Sequence, residues 1–252
     1  MELASLNRWK ASLIHLAVSA AIGLAVVTLM LAVWYPRPYF KAMGGDFLIL
    51  LLIGVDVVVG PLITLIIFNP KKKGLRFDLS VIAALQVAAL AYGCNVMFVA
   101  RPVYSVFVVD RFDTVAANQV DEASLEKATG EFRTLPITGP KMIAARQPTD
   151  AQRQADIVVQ AMNGGPDLAN LPDLYIPYAN ARGEAAQRAR PLAELMKRQP
   201  ADVATIRGFL ADAGRTDDAV GFLPMKARNH DMTVIVDKKS GDVVGIVPVY
   251  PW

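Results

Sequence analysis

Asp56 is the residue best placed to do chemistry. It lies in an apolar run, 47–68, interrupted by Gly54, Asp56, Gly60, Pro61 and Thr64. A carboxylate at mid-bilayer costs about 2.5–3.5 kcal/mol on insertion scales, so such residues face other helices or a wet cavity. Three roles suit it: hydrogen-bonded packing between helices, contact with a partner's membrane helix, or proton movement. Intramembrane aspartyl hydrolysis would need a second carboxylate, and no other apolar run carries one in its core.

Spacing surrounds Asp56 with a pattern. Residues four apart share a helix face, so Asp56, Gly60 and Thr64 form one stripe and His15, Ser19 and Gly23 another. Gln86 and Gly93 share a face seven residues apart. Small residues let backbones approach, and polar ones hydrogen-bond across the seam. At 1.5 Å per residue, Asp56 and Gln86 differ in depth by about 5 Å and are expected to be partners. Pro61 removes a helix donor and frees the Val57 carbonyl, so a kink is expected there.

The remaining reactive residues are sparse. His15 and His230 are the only histidines, which argues against a His-based zinc site. Cys94 is the single cysteine, so no intramolecular disulfide can form. No serine or threonine has a nearby histidine–acid set. Asn163-Gly164-Gly165-Pro166 follows a helix-like stretch and has no Lys-Ser/Thr neighbour, so it is no phosphate loop. The expectation is therefore no catalytic, cofactor or metal residues. Candidates for helix packing or partner contact are Asp56, Gly60, Pro61, Gln86, Arg101, Asp110 and Arg111. The adjacent Asp110 and Arg111 could pair with each other, touch lipid headgroups or meet a partner.

The elements that must position these residues fall into two parts. The chain has 252 residues, 54% of them hydrophobic. The apolar excess lies before Arg101, in three runs at about 11–34, 47–68 and 79–100, each long enough to cross a bilayer core. The first run exits through Trp34-Tyr35-Pro36-Arg37-Pro38-Tyr39-Phe40, which reads as an interfacial aromatic belt on an uncleaved span. Lys71, Lys72, Lys73 and Arg76 join Arg8 and Lys10 in outweighing Arg37 and Lys41, so the amino terminus and the lysine run are expected in the cytoplasm. Three crossings then place 102–252 in the periplasm of a bacterial inner membrane. The net charge of +3 gives no reason to expect a nucleic-acid partner.

Pro102 should end the third helix near Arg101, whose charge could reach headgroups. The following Val103–Val109 run has the chemistry of a strand buried on both faces. The rest reads as mixed α and β. Helices are expected near 121–128, 149–162 (capped by Thr149 or Asp150), 181–197 (interrupted at Pro191) and 202–213. Short strands are expected in 132–145, a loop over 166–178, and a closing hairpin at 232–236 and 243–247. The expected architecture is three transmembrane helices (1–101) followed by an α+β domain (102–252) with an antiparallel or mixed sheet.

Gly54-Val55-Asp56, Gly60-Pro61-Leu62-Ile63-Thr64-Leu65 and the Lys71–Lys73 run together resemble the second span of the TfpX/TfpZ family of type IV pilin accessory proteins. The Gln86–Gly93 stretch and the run Ala100-Arg101-Pro102-Val103 through Val109-Asp110-Arg111-Phe112 resemble that family's third span and strand, and the Leu135–Pro140 segment and the closing hairpin also fit it. The resemblance implies an inner-membrane protein that binds type IV major pilin or inner-membrane assembly proteins, beside membrane lipids, and modulates pilus assembly and dynamics without catalysis. An enzyme modifying pilin or lipid at the periplasmic face is the alternative. The family supplies no site residues to carry over.

Overall fold

The computed structural model describes residues 6–252. Two compact units form: residues 6–32 with Gly45–Val99, and Val33–Gly44 with Ala100–Trp252. The expected division at Arg101 left residues 33–44 with the membrane helices. The structure folds them with the soluble domain instead.

The first unit holds three helices long and apolar enough to cross a membrane: Arg8–Trp34, Gly45–Ile67 and Leu75–Val99. Asn7 caps the first, accepting a bond from the Lys10 N–H at 2.8 Å. The third starts at Leu75, earlier than its apolar run, because Arg76 and Asp78 fit an exposed first turn. Leu24, Leu50, Ile66 and Leu85 project outward, as lipid-facing side chains should. Within the second span, Gly54–Val59 is a π-helical turn in which the Gly60 N–H reaches the Val55 carbonyl. The span accommodates Pro61 through this wider turn directly ahead of it.

The second unit is α+β. Strand β1 (Pro102–Val108) is buried along its whole length, as its apolar run demands. It pairs antiparallel with β2 (Arg111–Ala116) and parallel with β3 (Lys141–Ala145). A short β4 (Tyr175–Pro177) borders β3 antiparallel. On the other side, β2 runs parallel to β6 (Val220–Lys226), which continues antiparallel into β7 (Met232–Asp237) and β8 (Val243–Val247). A two-residue β5 (Arg190–Pro191) also pairs with β6. The sheet is mixed, in the order β4-β3-β1-β2-β6-β7-β8.

Side chains alternate across β1. Tyr104, Val106 and Val108 join Phe132, Ile143, Ile157 and Tyr175 on one face. Phe107 joins Phe112, Tyr178, Met225 and Val234 on the other. A third cluster sets helices Leu192–Arg198 and Val203–Asp212 against β6–β8.

Local signals account for much of this. Asp121 and Asp150 cap the helices Glu122–Lys127 and Ala151–Met162 with their carboxylates. The β7–β8 turn closes as expected: Asp237 accepts from the Lys239 and Ser240 N–H groups, and Gly241 has φ +72°. A Cβ on Gly241 would lie 1.9 Å from the Arg182 carbonyl oxygen, so only glycine fits. Pro191 does not open the next helix. It sits in β5, with Leu192 beginning the helix.

Residues 35–43 form part of the second core. Tyr39 and Ala42 pack in the Phe107 cluster, and the Tyr39 hydroxyl meets the Ser105 hydroxyl at 2.8 Å. The Ala42 carbonyl accepts from the Asn229 and His230 N–H groups, and the Val33 carbonyl accepts from Gly139. A segment between spans one and two can share a core with one after span three only if both lie on the same membrane side.

Candidate functional site

The helix unit gathers four of the candidate residues. Gln86 packs so closely on Gly60 that a Cβ there would lie 2.0 Å from Gln86 Nε2. Gln86 Nε2 donates to the main-chain carbonyl of Asp56 at 3.2 Å. The expected Asp56–Gln86 partnership therefore includes the Asp56 backbone carbonyl as well as its side chain. The first and second spans are joined by His15 Nδ1 and Thr64 Oγ1 at 2.6 Å, and by Ser12 Oγ donating to the Pro61 carbonyl at 2.9 Å. Of the two stripes read from spacing, His15 and Thr64 meet, whereas Gly60 turns to Gln86.

This leaves the Asp56 carboxyl with a different outlook. The residue is only 9% exposed, and its Oδ1 has no hydrogen-bond partner among the described residues. It lines a groove of about 300 Å³ between the second and third spans, with Val55, Ala89, Tyr92, Gly93 and Met97. The π turn and Gly60 explain the opening. Asp56 lies within that turn, and Gly60 leaves room for Gln86 to pack against the second span. Ala89 and Gly93, four apart on one face, supply the small-residue wall on which another helix can approach closely.

The other candidates lie in the soluble unit, each engaged locally. Arg101 does not reach outward as expected. It is 5% exposed, and its Nε and Nη2 donate to the Pro136 carbonyl at 3.3 and 3.0 Å. Burial lowers its pKa, and the nearby Tyr35 opposes that. Asp110 and Arg111 do not pair with each other. Asp110 faces Arg190 at 3.6 Å, whereas Arg111 forks onto Asp113 at 2.8 and 3.2 Å and lies 3.8 Å from Asp167. Asp110 lies in the β1–β2 turn and Arg111 follows it; Val109, also in the turn, takes φ +55°, an uncommon conformation for a β-branched residue.

Against burial, which raises it, hydrogen bonds from Ser124 and Arg153 hold the Asp173 carboxyl below the usual carboxylate range. Among the described residues, no group of histidine, cysteine and acidic side chains is arranged to hold a metal ion.

Sequence reasoning missed a second feature, a cleft of about 610 Å³ between residues 38–42 and the β6–β7 loop.

These features define a class: a membrane protein with three bilayer-length helices, an α+β domain and a groove beside a buried acid. Comparison with known proteins narrows it. Over 236 residues, 91% of this chain and 90% of the relative, it is 34% identical to the fimbrial assembly protein of serogroup I from Dichelobacter nodosus. It is 35% identical, over the same span, to that of serogroup E1. A third relative, of serogroups C1 and C2, is 42% identical over 103 residues, 40% of this chain and 79% of that protein. The family model for fimbrial assembly protein FimB matches residues 5–44. The chain belongs to the family of fimbrial assembly proteins. No solved structure matches it.

Proposed function

We propose that the protein is a non-enzymatic accessory factor of type IV fimbrial assembly in the bacterial inner membrane, of the TfpX/TfpZ kind. Its helix unit receives the apolar helix of a pilin or an assembly protein. Its soluble domain, on the periplasmic side, is carried on the same chain. The observation that carries this reading is Asp56 Oδ1, buried without a partner at the edge of a groove walled by Ala89 and Gly93. A buried polar atom without a partner is costly, and an incoming helix bearing a donor would satisfy it. Family membership supports a role in fimbrial assembly. A partner held by helices and domain together gains through effective concentration.

The test is photocrosslinking in membranes of fimbriated cells, with a photoreactive residue at Ala89. A pilin or assembly-protein adduct is expected. Asp56→Asn keeps an acceptor oxygen and should retain the adduct. Asp56→Ala should lose it at matched membrane abundance. Lipid-only adducts, or an adduct indifferent to Asp56→Ala, would sink the reading.

A further inference from the structure

The cleft in the soluble unit has the chemistry of a phosphate site. One wall is Pro38, Lys41 and Ala42, and the other is the β6–β7 loop with Lys226, Arg228 and His230. The walls are pinned together by the two N–H bonds to the Ala42 carbonyl, at 2.9 and 3.2 Å. Lys41, Lys226 and Arg228 are all exposed, and none has an ion-pair partner among the described residues. The one carboxylate in the cleft, Asp231, is already committed. Its Oδ1 accepts from the Ala227 N–H at 3.0 Å and its Oδ2 from Trp252 Nε1 at 2.8 Å. Three cations therefore face one acid that is turned to neutral donors. Tyr250 lines the cleft, and Trp252 stands beside Asp231, both exposed.

The chain itself limits where this cleft can be. Lys41 precedes Gly45, the first residue of the second span, by four positions. Four extended residues reach at most about 14 Å. A cationic pocket with tyrosine and tryptophan at its edge, tethered that closely to a span, matches the composition of the headgroup layer.

We propose that this cleft binds the phosphate of an anionic phospholipid headgroup, with Lys41, Lys226 and Arg228 as its charge partners. The lipid is the source rather than a free phosphate because the tether holds the site within reach of the bilayer. The proposal does not depend on the groove beside Asp56.

The experiment uses the full chain in phosphatidylcholine nanodiscs with and without phosphatidylglycerol, released into native mass spectrometry to count retained lipids. Retained phosphatidylglycerol is expected for the unaltered protein. The triple variant Lys41→Gln, Lys226→Gln, Arg228→Gln should lower its apparent affinity by about a hundredfold, taking the usual gain per cation near an anionic surface. A Lys71→Gln, Lys72→Gln, Lys73→Gln control should retain the cleft lipid. All three cleft side chains are exposed, so the triple variant should melt with the parent. If it does not, Lys226→Gln alone should still give a loss of about fivefold on the same scale. Retention unchanged in a folded variant would overturn the proposal. So would inorganic phosphate competing as well as the lipid, which would mark a free-phosphate site, or displacement by an acidic peptide, which would mark a protein site.

Discussion

The two connections between the spans are both short and both cationic, yet they follow different rules. The first, around residues 35–44, carries Arg37 and Lys41 but buries Tyr35, Tyr39, Ala42 and Met43. The second carries Lys71, Lys72 and Lys73, all exposed, and Lys72 pairs with Asp78 at 2.6 Å. Phe68 and Leu75, at its ends, tuck against Ala11 in a small cluster of the helix unit. A connection becomes a structural element when its apolar side chains have a core to enter. Without one, its information is carried by charge alone. The first connection is thus part of the α+β unit, and the second is a run of exposed cations.

The largest expected effect follows from that difference. A reporter active only in the cytoplasm, fused after Trp252, should be silent in the natural chain. Reversing Lys71, Lys72 and Lys73 to Glu should turn a measurable fraction of molecules over and switch the reporter on. Strong activity from the unaltered fusion would overturn the orientation.

Next comes Tyr39→Ala, which empties a buried aromatic site. It should destabilise the soluble unit by about 3–5 kcal/mol, read as a fall in its melting temperature in detergent. Lys71→Ala should stay within about 0.5 kcal/mol of the parent. Equal effects would erase the contrast between the connections.

Tyr39→Phe is a finer probe. It removes only the Ser105 hydrogen bond, worth about 1 kcal/mol. It also has a pH signature. Burial, with the Ser105 bond opposing it, pushes the Tyr39 hydroxyl up to about 12, and burial does the same for Tyr35. The folded state thus favours the neutral phenol. Its contribution is complete below the ordinary value of about 10 and is lost as pH rises from there toward about 12. Tyr39→Phe should be slightly less stable at neutral pH and should lose less stability between those limits. Parallel alkaline curves for the two proteins would refute the burial of Tyr39.

The smallest effect is Lys72→Ala. Its ion pair with Asp78 is exposed, so the loss should be under about 1 kcal/mol and should vanish in high salt. Chemical denaturation at two ionic strengths would measure it.

Several features of this protein were determined by local sequence. Bilayer-length apolar runs mark the spans, because a helix there must satisfy its own backbone and show carbon to lipid. The Val103–Val109 run marks β1. Asp121 and Asp150 mark helix starts, and the Asp237–Gly241 turn marks the last hairpin. The stripes through Asp56 and His15 were legible for the same reason, since helical spacing alone puts their members on one face.

Tertiary structure decided what depends on distant partners. β6 contains Gly221 and Pro224, poor strand formers, and is held by β2, β5 and β7 on its neighbouring registers. β2 and the three-residue β4 exist through pairing with β1 and β3, and neither sequence announces a strand. Tyr39 could be read as an interfacial aromatic until Ser105, 66 residues away, took its hydroxyl. Asp56 and Gln86 could be matched by depth. Only packing showed that Gly60 brings Gln86 to the Asp56 carbonyl and leaves the Asp56 carboxyl facing a groove. The cationic cleft joins Lys41 to Lys226 and Arg228 across most of the chain, and no local pattern encodes such a meeting. Propensity and periodicity act over a few residues, whereas burial and close approach are set by whatever the fold brings alongside.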